Sequence, residues 1–448
     1  MFPGKIHLTY RIRIDIMSLM VIAIKVSAAS VSTQWRVCCA LLVTLFILGC
    51  GHAAASETAP TGLQVVPMVT PLVALNRPVW GATTADFNND GYLDLFLGGH
   101  GGGNKIQPDV IYYGSTSGFE KSSFSFPSGQ DRHHCAPILI NDDDYNDLYC
   151  TVGVGRGTKT NPNELWINLD GVHFEQYKKP FGAEEESGRG RLAVGLNFDS
   201  KAGVDLLTTV WGTRDDDLRN ESGVFRNVGG IFQFAETSIN NRLGGRCLSI
   251  GDLNRDGYDD IAACSEKAGG YILLNTGAGN FVKTTIDPDF KWWRDVEISD
   301  VNADAIADIV VLGYKHGENI KSLAIWYGLG DGSFRKTPDI AVSCDEPANP
   351  STLDVFCSKI AVTDINADGY GDIYVVRRLG AGQDSLDGDI EDVIFFGPDF
   401  KKLAAVPLAA SGMGGHVIAI GSQFVRINAG ERWPGQVDII DLKPPSMR

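Results

Sequence analysis

Residues 86–94 read DFNNDGYLD, and three further stretches repeat the pattern: DLNRDGYDD at 252–260, DVNADAIAD at 300–308 and DINADGYGD at 364–372. Each carries oxygen-bearing side chains at loop positions 1, 3, 5 and 9. They are Asp86, Asn88, Asp90 and Asp94; Asp252, Asn254, Asp256 and Asp260; Asp300, Asn302, Asp304 and Asp308; and Asp364, Asn366, Asp368 and Asp372. Aligning on the last Asp exposes two degenerate copies, one with Leu139, Asn141, Asp143 and Asp147, the other with Asn197, Asp199, Lys201 and Asp205. The six starts recur about every 56 residues, a period that belongs to propellers and solenoids.

Short apolar runs flank the loops, such as Leu93–Leu97, Ile309–Leu312 and Ile373–Val376, and their length and β-branched or aromatic content mark them as strands. A second hairpin follows in every unit: Val110–Tyr113 then Phe119, Leu165–Asn168 then Phe174, Val224–Asn227 then Phe232, Tyr271–Asn275 then Phe281, Leu323–Tyr327 then Phe334, and Val393–Phe396 then Phe400. Four strands per unit make one propeller blade. After the sixth unit, His416–Ile420, Phe424–Asn428 and Val437–Leu442 supply three strands of a seventh, with the fourth expected from Leu63–Val66 or Val69–Leu75. Residues 56–448 are therefore read as a single all-β, seven-bladed propeller of four-stranded blades.

The chain has 448 residues, 39 Lys+Arg against 55 Asp+Glu and a net charge of −16, which argues against a general nucleic-acid partner. With 44% hydrophobic and 21% charged residues the composition is that of a packed globular protein, and 52 glycines fit many tight turns. Residues 1–55 read as a secretory leader, its uncharged core running from Val37 to Leu48. Two cleavage points stay open, after Ala55 or before Cys50 in a lipobox-like FILGC, and an uncleaved anchor is a third reading. The expected location is exported: secreted, periplasmic or outer-membrane lipoprotein, with the membrane touched only through an N-terminal lipid anchor. Six cysteines then remain, an even number suited to an oxidising compartment. Measured from loop position 1, Cys135 and Cys150 lie at −4 and +11, Cys247 and Cys264 at −5 and +12, so each pair falls opposite itself in one hairpin register. Disulfides 135–150 and 247–264 are expected, with Cys344–Cys357 clasping the connection into blade 6.

Calcium takes six to eight oxygen ligands, and alternating Asp/Asn side chains around a sharp Gly turn can direct several toward one point. The four complete loops are read as about four Ca2+ sites. The competing reading is that Asp, Asn and Gly are simply good turn residues. Ala305 takes the Gly position in blade 5, while Lys201 and Leu139 replace ligands in the degenerate copies, so no metal is expected there or in blade 7.

In combination these units resemble FG-GAP repeats, also called VCBS-type repeats, of the propeller in integrin α subunits and many bacterial surface proteins. The resemblance covers nearly all of residues 56–448. It implies that position 9 closes the calcium sphere, that the metal loops lie on a lower face, and that the residues six before each loop start stand near the upper channel mouth. Those are Trp80, His133, Arg191, Arg246, Arg294 and Ser358, with His416 at the comparable place in blade 7. Such a ring suits a carboxylate or sulfate ligand, with Arg132, His134, Trp293, His100, Arg156, His316 and Arg377 as neighbours that extend it. The competing reading makes these cations partners of nearby acids. The resemblance points to an exported, calcium-stabilised binding or adhesion module for a glycan or extracellular protein. The alternative is a polysaccharide lyase on an acidic, uronate-containing glycan, with a His as base and an Arg as enolate stabiliser. No Ser-His-Asp, phosphate-loop or zinc-protease motif is present in the sequence.

Overall fold

Short β-branched runs separated by Asx/Gly turns bury both faces of each strand only when sheets stack on sheets, and the chain does so seven times over. The computed structural model describes residues 67–442, leaving out 76–78, 100–108, 128–130, 142, 154–161, 186–189, 200, 202, 211–222, 240–246, 266–268, 278, 285, 288–289, 316–320, 345–354, 380–390, 407–414 and 429–434. The 1–55 leader lies outside the described residues.

Seven four-stranded antiparallel sheets result. The innermost strands are Thr83–Ala85, Arg132–Ile138, Gly190–Leu196, Leu248–Gly251, Phe290–Ser299, Val355–Thr363 and Gly415–Ile420 in blades 1 to 7. In blades 1 to 6 the chain runs outward through consecutive strands. Blade 7 instead takes Pro67–Leu75 as its outer strand, pairing it antiparallel with Gly435–Leu442, so the two ends of the repeat array close the ring. Seven apolar clusters form, each shared by two successive blades; Phe87, Phe96, Leu148 and Trp166 join blades 1 and 2, and Val425, Ile427, Leu95 and Leu97 join blades 7 and 1.

Two sequence expectations for outer strands are corrected. The fourth strand of blade 5 is Ile340–Ser343, and Phe334 precedes it in a loop, its apolar ring packing on the blade 4–5 cluster. The fourth strand of blade 6 is Lys402–Val406; Phe400 is buried in the turn before it at a φ of 53°. In both cases the apolar signal came from packing rather than pairing.

Position 9 of the loop is the structural constant. In all six repeats this Asp opens strand 2 and is buried: Asp94, Asp147, Asp205, Asp260, Asp308 and Asp372. One oxygen accepts the amide of the residue after loop position 1, as in Phe87 N–H to Asp94 (2.8 Å) and Leu253 N–H to Asp260 (2.9 Å). The other accepts the amide at the far end of strand 3, as in Gly114 to Asp94 (2.9 Å), Asn168 to Asp147 (2.7 Å), Asn227 to Asp205 (2.8 Å) and Asn275 to Asp260 (2.7 Å). Three strands of a blade are tied together by one carboxylate. A second clasp works at the opposite end of the blade, just before or at the start of strand 3. Asp109, Asn163 and Asp392 accept the amides of Gly99, Val152 and Arg377, and Asp109 and Asp392 reach on to Arg132 and Arg426 of the following blade.

All three expected disulfides form. Cys135 and Cys150 face each other directly in the blade 2 register at a Cα separation of 4.0 Å. Cys247–Cys264 has a Cα separation of 5.3 Å and also shares a backbone hydrogen bond from Cys264 N–H to Cys247 O. Cys344–Cys357 ties the end of blade 5 to the inner strand of blade 6 across 6.4 Å.

The clasp predicts that Asp147→Asn destabilises the propeller by about 2 kcal/mol, because an Asn amide group points a donor at one of two buried N–H donors. Blade 2 lacks a complete metal loop, so the loss is expected to be the same with calcium or chelator. Chemical denaturation at about pH 8 measures it, and an unchanged midpoint would remove the clasp from the list of stabilising contacts.

Candidate functional site

The four complete loops share one conformation. Position 1 accepts the amides of positions 5 and 6, as in Asp90 N–H to Asp86 Oδ1 (3.2 Å) and Gly91 N–H to Asp86 Oδ2 (2.9 Å). The Asn at position 3 accepts the position 5 amide, and position 5 accepts that of position 7, with the same set in each of the other three loops. Positions 4 and 6 are left-handed: Asn89, Arg255, Ala303 and Ala367 at the first, and Gly91, Gly257, Ala305 and Gly369 at the second. Blade 5 therefore keeps the loop shape with Ala305 at a φ of 62°, a conformation that strains a Cβ-bearing residue.

What these loops could hold follows from their charge. Asp86, Asp90 and Asp94 sit close enough that the first two help raise the carboxyl of Asp94, which burial pushes up to about 6. The same holds for Asp260 and Asp308, and for Asp372 with Asp368 as the contributing acid. Among the described residues no Lys or Arg ion-pairs with the position 1 or 5 carboxylates. Asp at 1, Asn at 3 and Asp at 5 are oxygen donors of the type a hard divalent cation takes, and in all four loops the position 3 side-chain amide donates to the position 5 carboxylate. Position 9 spends both oxygens on backbone amides; each oxygen keeps a second lone pair. No group of three or more His, Cys, Asp or Glu side chains closes around one point among the described residues.

The third repeat answers the same charge problem with protein atoms. Asp199 pairs with Arg226 (Nε to Oδ2 2.9 Å), while Lys201 is farther at 3.9 Å. Sequence reading singled out Lys201 and missed Arg226. The signal was available: the residue before the strand-3 amide donor is Tyr113, Ile167, Leu274, Tyr327 and Phe396 in the other repeats, and Arg only here.

At the other end of the inner strands, the residues six before the loops sit on irregularities of pairing. His133, Arg191 and Ser358 each occupy a one-residue register shift, Arg294 lies in a wider one, and Trp80 and Gly81 both direct their amides at Gly98 O. Bulges of this kind re-aim side chains at the rim of a sheet. Three of the expected residues come together. The half-buried Trp80 ring lies 5.6 Å from the His133 ring, and the Arg191 guanidinium lies 5.5 Å from the Trp80 centroid. His133 is 3% exposed, its Nδ1 2.7 Å from Gly190 O and its Nε2 3.4 Å from Asp131, and a Cβ on Gly153 would meet its ring. Burial lowers its pKa despite Asp131.

The remaining positions divide. Arg294 is half-buried, and Arg246 lies outside the described residues, as do the neighbours His100, Arg156 and His316. His416 lies on the inner strand of blade 7, where burial and the charge of Lys359 push it down to about 3. His133 and His416 are thus neutral near pH 7, and the charge expected from a ring of Arg and His falls to Arg191 and Arg294 among the described members. Three neighbours are also corrected. Arg132 is buried between Asp109 and Glu164, Trp293 packs on Gly270 with its Nε1–H on Phe290 O (3.2 Å), and Arg377 is buried. Their side chains serve blade packing.

Strain in the blade 5 loop gives a direct prediction. Ala305→Gly is expected to raise stability by about 1 kcal/mol by removing a Cβ from the left-handed region. A denaturation midpoint that stays put or falls would mean the loop relaxes around Ala305 without cost.

Comparison with known proteins agrees with this architecture. Residues 252–311 and 300–375 match the FG-GAP-like repeat model. Over 80 residues the chain is 31% identical to Cartilage acidic protein 1 of Xenopus tropicalis, a stretch spanning 17% of this chain and 12% of that protein. A chain in the crystal structure of BBS1N in complex with ARL6DN, soaked with lead, superposes with a TM-score of 0.50 at 11% identity, covering 86% of this chain and 98% of that one. YCF48 from Cyanidioschyzon merolae is also similar, with a TM-score of 0.46, 11% identity and coverage of 84% and 98%. The chain is a seven-bladed β-propeller carrying FG-GAP-like repeats.

Proposed function

We propose that this chain is an exported, calcium-stabilised binding module whose upper channel mouth takes a glycan or extracellular protein ligand. The observation that carries the reading is the convergence of Trp80, His133 and Arg191, delivered by the inner strands of blades 1, 2 and 3 and held by backbone bonds. A half-buried aromatic face under a guanidinium is a preformed platform for a sugar ring or a planar carboxylate. Export accords with three disulfides among the described residues. Protein binding accords with the propeller neighbour BBS1N, crystallised in complex with ARL6DN.

The lyase alternative has less support. Elimination beside a carboxylate needs a base whose lone pair meets the substrate. His133 is enclosed between Gly153, Gly190 and Asp131, and His416, pushed down to about 3, is a weak base.

Two experiments test the proposal. Acidic polysaccharides incubated with the protein in calcium are expected to co-sediment without new ultraviolet absorbance from unsaturated uronate, and Trp80→Ala with Arg191→Ala to weaken retention about tenfold. Rising absorbance would make the protein a lyase, and retention indifferent to both substitutions would move the site elsewhere. For the metal, chelator should lower the melting temperature, and Asp256→Ala should cost more than Asp199→Ala in calcium, the gap narrowing in chelator. Equal costs in both conditions would sink the calcium assignment.

A further inference from the structure

The inner strands of a propeller are open edges, and their unpaired amides must be met from across the channel. Here the side chain of one blade caps the strand of the next. His134 Nδ1 faces Ala193 N (3.5 Å), Ser249 Oγ accepts from Ile298 N–H (2.9 Å), and Asp295 Oδ2 accepts from Ile360 N–H (2.9 Å). Around blade 5 this brings ionisable groups together. Asp295 and Glu297 lie two residues apart on one strand; Asp295 pairs with the Lys359 ammonium of blade 6 (2.7 Å), and Glu297 accepts the Ser249 hydroxyl of blade 4 (3.1 Å).

The charges do not balance with every group in its ordinary state. Two carboxylates share one ammonium. Within electrostatic reach of Lys359 lie His134 and His416, which burial and the Lys359 charge push down to about 4 and about 3, so both are neutral. Arg426, within electrostatic reach of His416, is committed to Asp392 at 2.6 Å. Ser249 contributes a hydroxyl only.

We propose that Glu297 holds a proton that locks the inner strands of blades 4, 5 and 6 together, and that losing it loosens this wall of the channel. Protonated, Glu297 leaves Lys359 to Asp295, while the Ser249 hydroxyl donates to it in either state. Ionised, it sets a second negative charge beside Asp295 with no further cation among the described residues. Burial first, and the Asp295 charge second, push the Glu297 carboxyl up to about 8, so the proton leaves just above neutrality. An acid raised in the folded state binds its proton more tightly than in the unfolded chain. Its contribution is full below the unfolded value of about 4.3 and is lost as pH rises to about 8.

Melting temperatures of the full chain and of Glu297→Gln, at saturating calcium, test this across pH. Relative to the variant, wild type is expected to lose roughly 5 °C between about pH 5 and pH 9. A difference that stays constant with pH would overturn the proposal. Should Glu297→Gln fail to fold, Asp295→Asn keeps an acceptor for Ile360 N–H and removes the charge that raises Glu297. It is expected to move the midpoint of the wild-type decline to lower pH, and an unmoved midpoint would likewise overturn it.

Discussion

A buried carboxylate that accepts two backbone amides is the interaction on which six of the seven blades depend. The acidic loop brings strand 1 around into strand 2, and the last Asp of that loop bonds both the turn behind it and the end of strand 3. Burial alone would drive such a group to its neutral form; the two N–H donors oppose that and give the carboxylate a structural task. This explains why position 9 is Asp even in the two repeats that have each lost another oxygen-bearing position. In those repeats Asp147 and Asp205 keep the clasp, while Leu139 at position 1 and Lys201 at position 5 show that an acid at those two positions is dispensable to the blade.

The loops thus combine two functions separable by position. Positions 1, 3 and 5 concentrate negative charge at the turn, and the third repeat neutralises its remaining acid with Arg226 from the same blade. A built-in guanidinium is a fixed counter-charge, whereas the cation proposed for the complete loops would be removable and would tie stability to the medium.

At the opposite end, the bulged starts of the inner strands determine which side chains face one another. The mouth is less cationic than its residue types imply, because enclosure neutralises histidines and the buried Arg132 is consumed by Asp109 and Glu164. What remains is a compact Arg191–Trp80–His133 group, better suited to holding a ligand than to moving a proton.

The sequence by itself determined the repeat, the blade number, the strand order and all three disulfides, because these follow from spacing: a period near 56, short strands, two cysteine pairs opposite one another in a hairpin register and a third pair close in sequence at a blade connection. The closing strand was readable up to a choice of two segments. Tertiary structure alone decided the rest. Phe334 and Phe400 look like strand residues yet pack from turns, since apolar character records burial and not pairing. Whether Trp80 meets Arg191 and whether Glu297 finds a cation depend on distances between blades, and whether Arg226 reaches Asp199 depends on distances between strands of one blade. Charge and pKa are properties of those distances and of enclosure, and neither is written in local sequence.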